Sequence, residues 1–372
     1  MTTIIENIDL CTPHLRIDDA EVRIEGGRIA YAGPKRPAKS RARGRRTEVF
    51  DGRGATAVPG LIDIHLHGGG GSDFMDGGAE AARTVLRTHL RAGTTSVLAT
   101  LMTAPAGEIL AAVRAVNAVD ATGMVLGLHL EGPHIAASRR GAQPAAAVRG
   151  FDIREIAAIA RLSGVPIRIV TLAPELPGAA AYIRALARRS IIPAAGHSEA
   201  TFEQAILGFE AGITHGTHLF NAMSGIHHRA PGLAGALLLN EEASVEVIAD
   251  GIHLHPATVF LVLTSKPPDM VILVTDATRP AGSGKPVLRT PEGRLYGSTL
   301  TLLEAVRNVV HWSGWPLETV LPLATANPAR LLDLDGRKGF LKRGADADIV
   351  LLDKSLKVKD VFLRGKRIDF DG

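Results

Sequence analysis

The apolar positions of this chain fall into two rhythms. Toward both ends they alternate with polar residues, as in Glu21-Val22-Arg23-Ile24 and Val358-Lys359-Asp360-Val361-Phe362-Leu363. A period of two predicts strands with one covered face. Thr2–Ile5, Glu21–Ile24 and Arg28–Ala32 are read this way, with Gly26-Gly27 placed between the last two as a hairpin turn. Asp348–Leu352 and Val358–Leu363 repeat the pattern before the turn-forming Arg364-Gly365-Lys366. The two ends are predicted to join in one small β-sandwich domain, with the middle of the chain inserted between them.

In the middle the apolar runs are short and continuous, as expected of parallel strands covered on both faces. Eight are present: Leu61–His65, Ser96–Thr100, Val125–Leu130, Ile167–Leu172, Ile191–Ala195, Ile213–Thr217, Val245–Ala249 and Val271–Thr275. Between them lie helix-like segments such as Ala79–Arg91, Ile153–Leu162, Ala179–Arg189, Glu199–Ala211 and Pro256–Thr264. The mean strand spacing is about 30 residues, the size of a βα unit. Eight such units predict a (β/α)8 TIM-type barrel. A doubly wound open sheet is the competing α/β fold, but it calls for a G-x-G-x-x-G helix start after the first strand, which the Gly68–Gly71 run does not supply. The expected organisation is residues 1–55 and 335–372 for the two parts of the β-domain and 56–334 for the barrel.

Composition narrows the setting. Of 372 residues, 46% are hydrophobic and only 4% aromatic, which gives an ample, aliphatic core. The single cysteine, Cys11, excludes an intrachain disulfide and a cysteine-based metal site. With no signal peptide and no apolar run near 18 residues, the reading is a soluble cytoplasmic protein without a membrane partner. Much of the small positive excess lies in one run, Lys35, Arg36, Lys39, Arg41, Arg43, Arg45 and Arg46. It lacks interleaved aromatics, so it reads as a solvated loop rather than a nucleic-acid surface.

The chemistry gathers at strand ends. In a barrel of this kind the reactive groups sit at the C-terminal ends of the strands. The first strand ends in His65 and His67, which share a face. The third ends in Glu131, the fifth in His197, the sixth in His218 and the eighth in Asp276. Six oxygen and nitrogen groups on one rim suit one or two divalent ions. His129 shares a face with Glu131 but lies deeper, and reads as a hydrogen-bonded core residue. His215 competes with His218, which is preferred because it ends its strand. His14, His89 and His311 lie off the rim; His134, His227, His228 and His255 are loop residues without an assignment. No lysine occurs between Lys39 and Lys266. A carboxylated lysine therefore cannot bridge metals in strands one to seven, which leaves Glu131 as the principal carboxylate.

Several stretches together resemble one family. They are P-G-L-I-D-I-H-L-H-G from Pro59, L-E-G-P from Leu130, T-L-A-P-E from Thr171, G-H-S from Gly196 and T-H-L-F-N-A-M from Thr217. R-x-P-G from Arg229, D-G-I-H from Asp250, V-T-D-A-T from Val274 and G-S-T-L-T from Gly297 complete the set. The chain resembles, over nearly its whole length, the N-acetylglucosamine-6-phosphate deacetylase family of the amidohydrolase superfamily. The resemblance implies a divalent metal, zinc or else iron, cobalt or manganese, as one or two ions per subunit. Glu131, His197 and His218 would hold the main ion, His65 and His67 a second, with Glu131 bridging. Asp276 would be the general base and acid. Arg229, His253 and the Asn221-Ala222 segment would hold the sugar phosphate, with Arg229 supplied by the partner subunit of a homodimer. The implied reaction releases acetate and glucosamine 6-phosphate. One departure is Gly141-Ala142-Gln143-Pro144, where the family carries a histidine that contacts the acetyl group. Gln143 can donate an N–H to a developing oxyanion but cannot be a cation. It predicts weaker transition-state stabilisation or a shifted substrate, for which the epimer N-acetylgalactosamine 6-phosphate stands ready. A non-catalytic scaffold built on the same fold is the remaining alternative, and the full set of rim groups argues against it.

Overall fold

The computed structural model describes residues 2–13, 15–37, 47–119 and 122–370. His14 and most of the basic run therefore lie outside the described residues. Of that run, Lys35 reaches Asn7 Oδ1 at 2.8 Å and Arg36 stacks on the Tyr31 ring at 3.5 Å. The chain forms two compact units, Met1–Ile62 with Leu90–Thr95 and Val306–Gly372, and Asp63–His89 with Ser96–Ala305.

In the first unit both chain ends share one seven-stranded sheet. Its strand order is Lys366–Arg367, Val358–Leu363, Ile349–Leu352, Thr47–Pro59, Thr2–Thr12, Leu15–Glu25 and Arg28–Pro34. The alternation that predicted these strands is what buries Ile5, Ile8, Val22, Ile24, Ile349, Leu351 and Phe362 together. Gly26 and Gly27 both have positive φ, 57° and 76°, as the tight turn between the second and third strands requires. Cys11 is fully buried, and that burial pushes its thiol up to about 12. The folded protein is expected to resist thiol reagents at neutral pH and to label only on unfolding, which absorbance of a chromogenic disulfide reagent would follow.

The eight predicted barrel strands are all present, as Leu61–Leu66, Thr94–Met102, Val125–Glu131, Ile167–Leu172, Ile192–Ala195, His215–Gly216, Ser244–Ile248 and Val271–Val274. They pair in sequence order, all parallel where the register is defined. A parallel bridge between Leu66 and Ala277 brings the eighth strand back to the first. Fully buried runs such as Val271–Val274 explain why these strands read as continuous apolar stretches. The helices Ala79–Arg91 and Ile153–Leu162 keep their predicted bounds. The Gly68–Gly71 run makes a tight turn, with Gly70 and Gly71 at φ 63° and 92°, between two-residue strands Gly68–Gly69 and Ser72–Asp73.

Lys266 is structural. It is 3% exposed, and its ammonium donates to the carbonyls of Leu237, Asn240 and Ala243, the end of helix Gly232–Leu239 and the turn after it. Those carbonyls have no helical partner of their own. Lys266→Met is expected to lower stability by about 2–3 kcal/mol, because three buried acceptors lose their donor. Urea unfolding of the two proteins would read the difference as a shifted midpoint at unchanged slope.

Candidate metal centre

The C-terminal ends of five barrel strands converge on one small volume. Glu131, ending the third strand, has Oε1 2.9 Å from His197 Nε2 and 3.1 Å from His218 Nε2. The same oxygen lies 3.5 Å from His65 Nε2, while Oε2 lies 3.3 Å from His67 Nε2. Asp276 Oδ1 stands 3.5 Å from His65 Nε2 and 3.3 Å from His67 Nε2. Among the described residues three groups have ligand atoms within 4.8 Å of one another: Glu131 with His197 and His218, His65 with His67 and Asp276, and His65 with His129 and Glu246. All six predicted rim residues are thus brought together.

Local backbone geometry turns three of these side chains inward. His197, His218 and Asp276 have φ of 49°, 29° and 48°, a left-handed conformation that non-glycine residues seldom adopt. Each costs about 1–3 kcal/mol and persists only where the surroundings enforce it, as functional sites do. Phe220 and Ala222 are left-handed as well, so the segment after the sixth strand folds back on itself beside the histidines.

The electrostatics are those of a site built for a cation. Burial works against the charged form of Glu131, yet His197, His218 and His65 hold its carboxyl well below the usual range. Asp276 is held low in the same way, against burial, by the His67 hydrogen bond and the charge of His65. Burial also opposes a charged His67, but Asp276 and Glu131 push it up to about 10. Positive charge beside both carboxylates is what a divalent ion would supply. The donor set fits such an ion. His65 Nε2 is buried without a hydrogen-bond partner and faces both carboxylates, while His197 Nδ1 is held at 2.8 Å by the Arg139 carbonyl, so its Nε2 points to Glu131.

The remaining histidines sort by geometry. His129 is fully buried with both ring nitrogens engaged, by Ile64 O at 3.1 Å and Thr171 Oγ1 at 2.8 Å, and burial with the charge of His65 pushes it down to about 3. His215 faces away from Glu131, toward Ser244 Oγ at 2.7 Å and Glu246 Oε1 at 3.1 Å. His89 packs on Gly68 O, and His255 caps helix Pro256–Ser265.

A cavity of about 340 Å³ opens above the cluster, and His67, Glu131, Gln143, His197, His218, Asn221, Ala222, His253 and Asp276 line it. Gln143 is buried against the cluster: its amide nitrogen donates to Glu131 Oε2 at 2.6 Å and its oxygen accepts from Thr103 N at 2.7 Å. His253 is braced by Asp250, whose Oδ2 lies 2.6 Å from His253 Nδ1. Arg229 is not among the lining residues; it is exposed, with Nη1 2.6 Å from His228 Nε2.

Sequence reasoning missed Glu246, Asp63 and Asp250, which hold the histidines or the strands that carry them. Asp63 Oδ2 accepts from Thr275 Oγ1 at 2.7 Å, linking the first and eighth strands, and burial pushes its carboxyl up to about 7. For Asp63 and Glu246 part of the signal was present in the sequence, since a carboxylate inside an otherwise apolar strand needs a buried partner, but the sequence does not say which one. The short hairpin Leu288–Arg289 with Leu295–Tyr296 was missed too, and its Arg294 and Tyr296 reach the cavity wall.

A model of the amidohydrolase family matches residues 56–368. An N-acetylgalactosamine-6-phosphate deacetylase from Escherichia coli is 35% identical, with 100% of each chain covered. An N-acetylglucosamine-6-phosphate deacetylase from Lysinibacillus sphaericus is 34% identical over 98% of this chain and 97% of its own. Among solved structures, a variant of N-acetyl-D-glucosamine-6-phosphate deacetylase from Mycobacterium smegmatis, in complex with N-acetyl-D-glucosamine-6-phosphate, superposes with a TM-score of 0.88 at 32% identity. The match covers 99% of this chain and 98% of that one. Among the described residues no helix is long and apolar enough to cross a membrane.

Proposed function

The chain belongs to the amidohydrolase family, and from that premise we propose that it hydrolyses the N-acetyl group of N-acetylglucosamine 6-phosphate, giving glucosamine 6-phosphate and acetate. The observation that carries this reading is the single rim cluster of Glu131, Asp276 and four histidines beneath a cavity of sugar size. Glu131, His197 and His218 would hold one divalent ion, and His65 and His67 a second. Mixed imidazole and carboxylate donors suit zinc, with iron, cobalt and manganese as substitutes. A divalent ion held by these residues would supply Lewis acidity toward water and the amide carbonyl.

The chain's own groups do the rest. Asp276 takes the proton of the attacking water and returns it to the leaving nitrogen, which would otherwise depart as an unstable anion. Gln143 gives one amide hydrogen to Glu131, which leaves the other for the substrate's carbonyl oxygen. His253, kept in register by Asp250, and the Asn221-Ala222 backbone hold the phosphorylated sugar. Positioned groups of this kind lower the entropic part of the barrier. Arg229 reaches the phosphate across a homodimer, in keeping with its exposed place away from its own cavity. The single buried cysteine suits action in the cytoplasm.

Arg229→Ala is expected to raise KM for the phosphorylated sugar about 10–100-fold, the worth of a charge-assisted pair. The advantage over the unphosphorylated sugar should narrow by the same factor in acetate-release assays. An unchanged preference would remove Arg229 from the phosphate site.

A second reading is the same reaction on N-acetylgalactosamine 6-phosphate. It is favoured by the full-length match to the Escherichia coli enzyme and by Gln143 beside Glu131. Acetate release from the two epimers and from unphosphorylated N-acetylglucosamine, with and without a chelator, decides. Chelator-sensitive turnover favouring the phosphorylated gluco sugar supports the first reading. Turnover of the galacto epimer alone supports the second. No acetate from any of the three, in metal-loaded protein, would overturn both.

A further inference from the structure

Glu246 lies in the seventh strand, Ser244–Ile248, and its side chain is fully buried. No ligand role falls to it, yet it touches more of the cluster than any sequence motif suggested. Its Oε2 lies 2.8 Å from His65 Nδ1 and also accepts from the His218 backbone N–H at 2.9 Å. Its Oε1 lies 3.1 Å from His215 Nε2, and His215 is braced in turn by Ser244 Oγ. The Glu246 backbone carbonyl accepts from Leu219 N at 2.9 Å. One carboxylate thus grips the back of a first-strand histidine and the backbone that carries a sixth-strand histidine.

The geometry points to Glu246 as a positioning residue for the metal centre: by engaging His65 Nδ1 and the His218 amide, it aims the His65 Nε2 and His218 Nε2 atoms at Glu131 and Asp276. A ring with one nitrogen bonded to a carboxylate has a fixed orientation and offers the other nitrogen as a stronger donor. His65 Nε2 is the atom left bare, and it faces Glu131 and Asp276 at 3.5 Å each. The left-handed backbone of His218 needs an external restraint, and the Glu246 bond to its N–H supplies one. Glu246 could be taken for a ligand itself, since it forms a compact trio with His65 and His129. That role fails because both nitrogens of His129 are already engaged. His215 completes the device: it holds the far oxygen of Glu246, so the carboxylate plane cannot rotate away from His65.

This inference rests on the metal centre proposed above, and the test separates the two. Zinc is titrated into metal-free wild-type and Glu246→Gln protein against a chromogenic chelator, and the thermal midpoint of each metal-free protein is recorded. The amide has no charge, so its oxygen holds His65 Nδ1 and the His218 N–H more weakly, and its nitrogen side cannot accept a hydrogen bond from His215. The weakest zinc-binding step resolved in wild type is expected to weaken about 10–100-fold in the variant, with the metal-free midpoint little changed. A lowered midpoint with zinc affinity within about threefold of wild type would mean that Glu246 serves stability alone, and would overturn the inference. Should the Gln variant fail to fold, His215→Asn carries the same test, since its shorter amide can still meet Ser244 Oγ but stops short of Glu246, frees the far oxygen and touches no proposed ligand. There the expected loss is about threefold or more, and unchanged affinity overturns the inference. A wild-type protein that binds no zinc, cobalt or manganese would instead overturn the metal centre itself.

Discussion

Asp276→Asn is expected to lower kcat about 10²–10⁴-fold while the protein still folds and carries metal. Asn matches Asp in size, so the cavity keeps its shape, and an amide oxygen can still face His67. What disappears is a group able to accept a proton. Asp276 suits that task because it stays ionised despite burial: the His67 hydrogen bond and the charge of His65 hold it below the usual carboxylate range. It is also apart from the Glu131, His197 and His218 group, so the main ion does not depend on it. Steady-state acetate release, measured beside metal content per chain, reads both halves of the expectation. A variant with bound metal and a wild-type rate would show that the proton travels by another route.

The second large effect belongs to Glu131. Glu131→Gln is expected to weaken retention of the main ion at least about 100-fold, more than losses typical of residues that only brace a ligand. Turnover should fall with it, because one carboxylate serves four histidines. Its two oxygens lie within 3.5 Å of His65, His67, His197 and His218, so no neighbouring side chain can replace it. Without that charge the Nε2 atoms of His197 and His218, 3.1 Å apart, have no anion between them and their neighbours. Metal content after dialysis, by atomic emission, and acetate release with and without added metal would measure the effect. Full metal and full turnover in the variant would move the principal site away from Glu131. With the lysine-free stretch from residue 40 to 265, the sequence offers no carboxylated lysine to compensate.

Much of this arrangement was legible because parallel barrel strands are covered on both faces. Short apolar runs such as Ile167–Leu172 and Val125–Leu130, spaced at the length of a βα unit, read as strands of that kind, and a charged or imidazole side chain at the end of a run marks the rim. The preference for His218 over His215 followed from that end position, and the structure places His218 Nε2 by Glu131 and His215 against Ser244. What stayed hidden are residues whose meaning depends on distant partners. Glu246 reads as an ordinary polar interruption of Ser244–Ile248 until His65, 181 positions away, is seen against it. Gln143 lies in an irregular segment, where no periodicity foretells that its amide will close on Glu131 and Thr103. The Leu288–Tyr296 hairpin has strands of two residues each, too short for an alternating pattern to register.

The seven-stranded sheet also sets a schedule for synthesis. Strand Thr47–Pro59 pairs on one side with Thr2–Thr12, made just before it, and on the other with Ile349–Leu352, where Ile349 stands opposite Pro59. At ribosomal rates of about 5–20 residues per second, that second edge waits about 15–60 s for its partner. An unpaired strand edge is a template for any other extended chain. The nascent protein therefore carries an open seam while the whole barrel is made, and strand Ile349–Leu352 is what closes it.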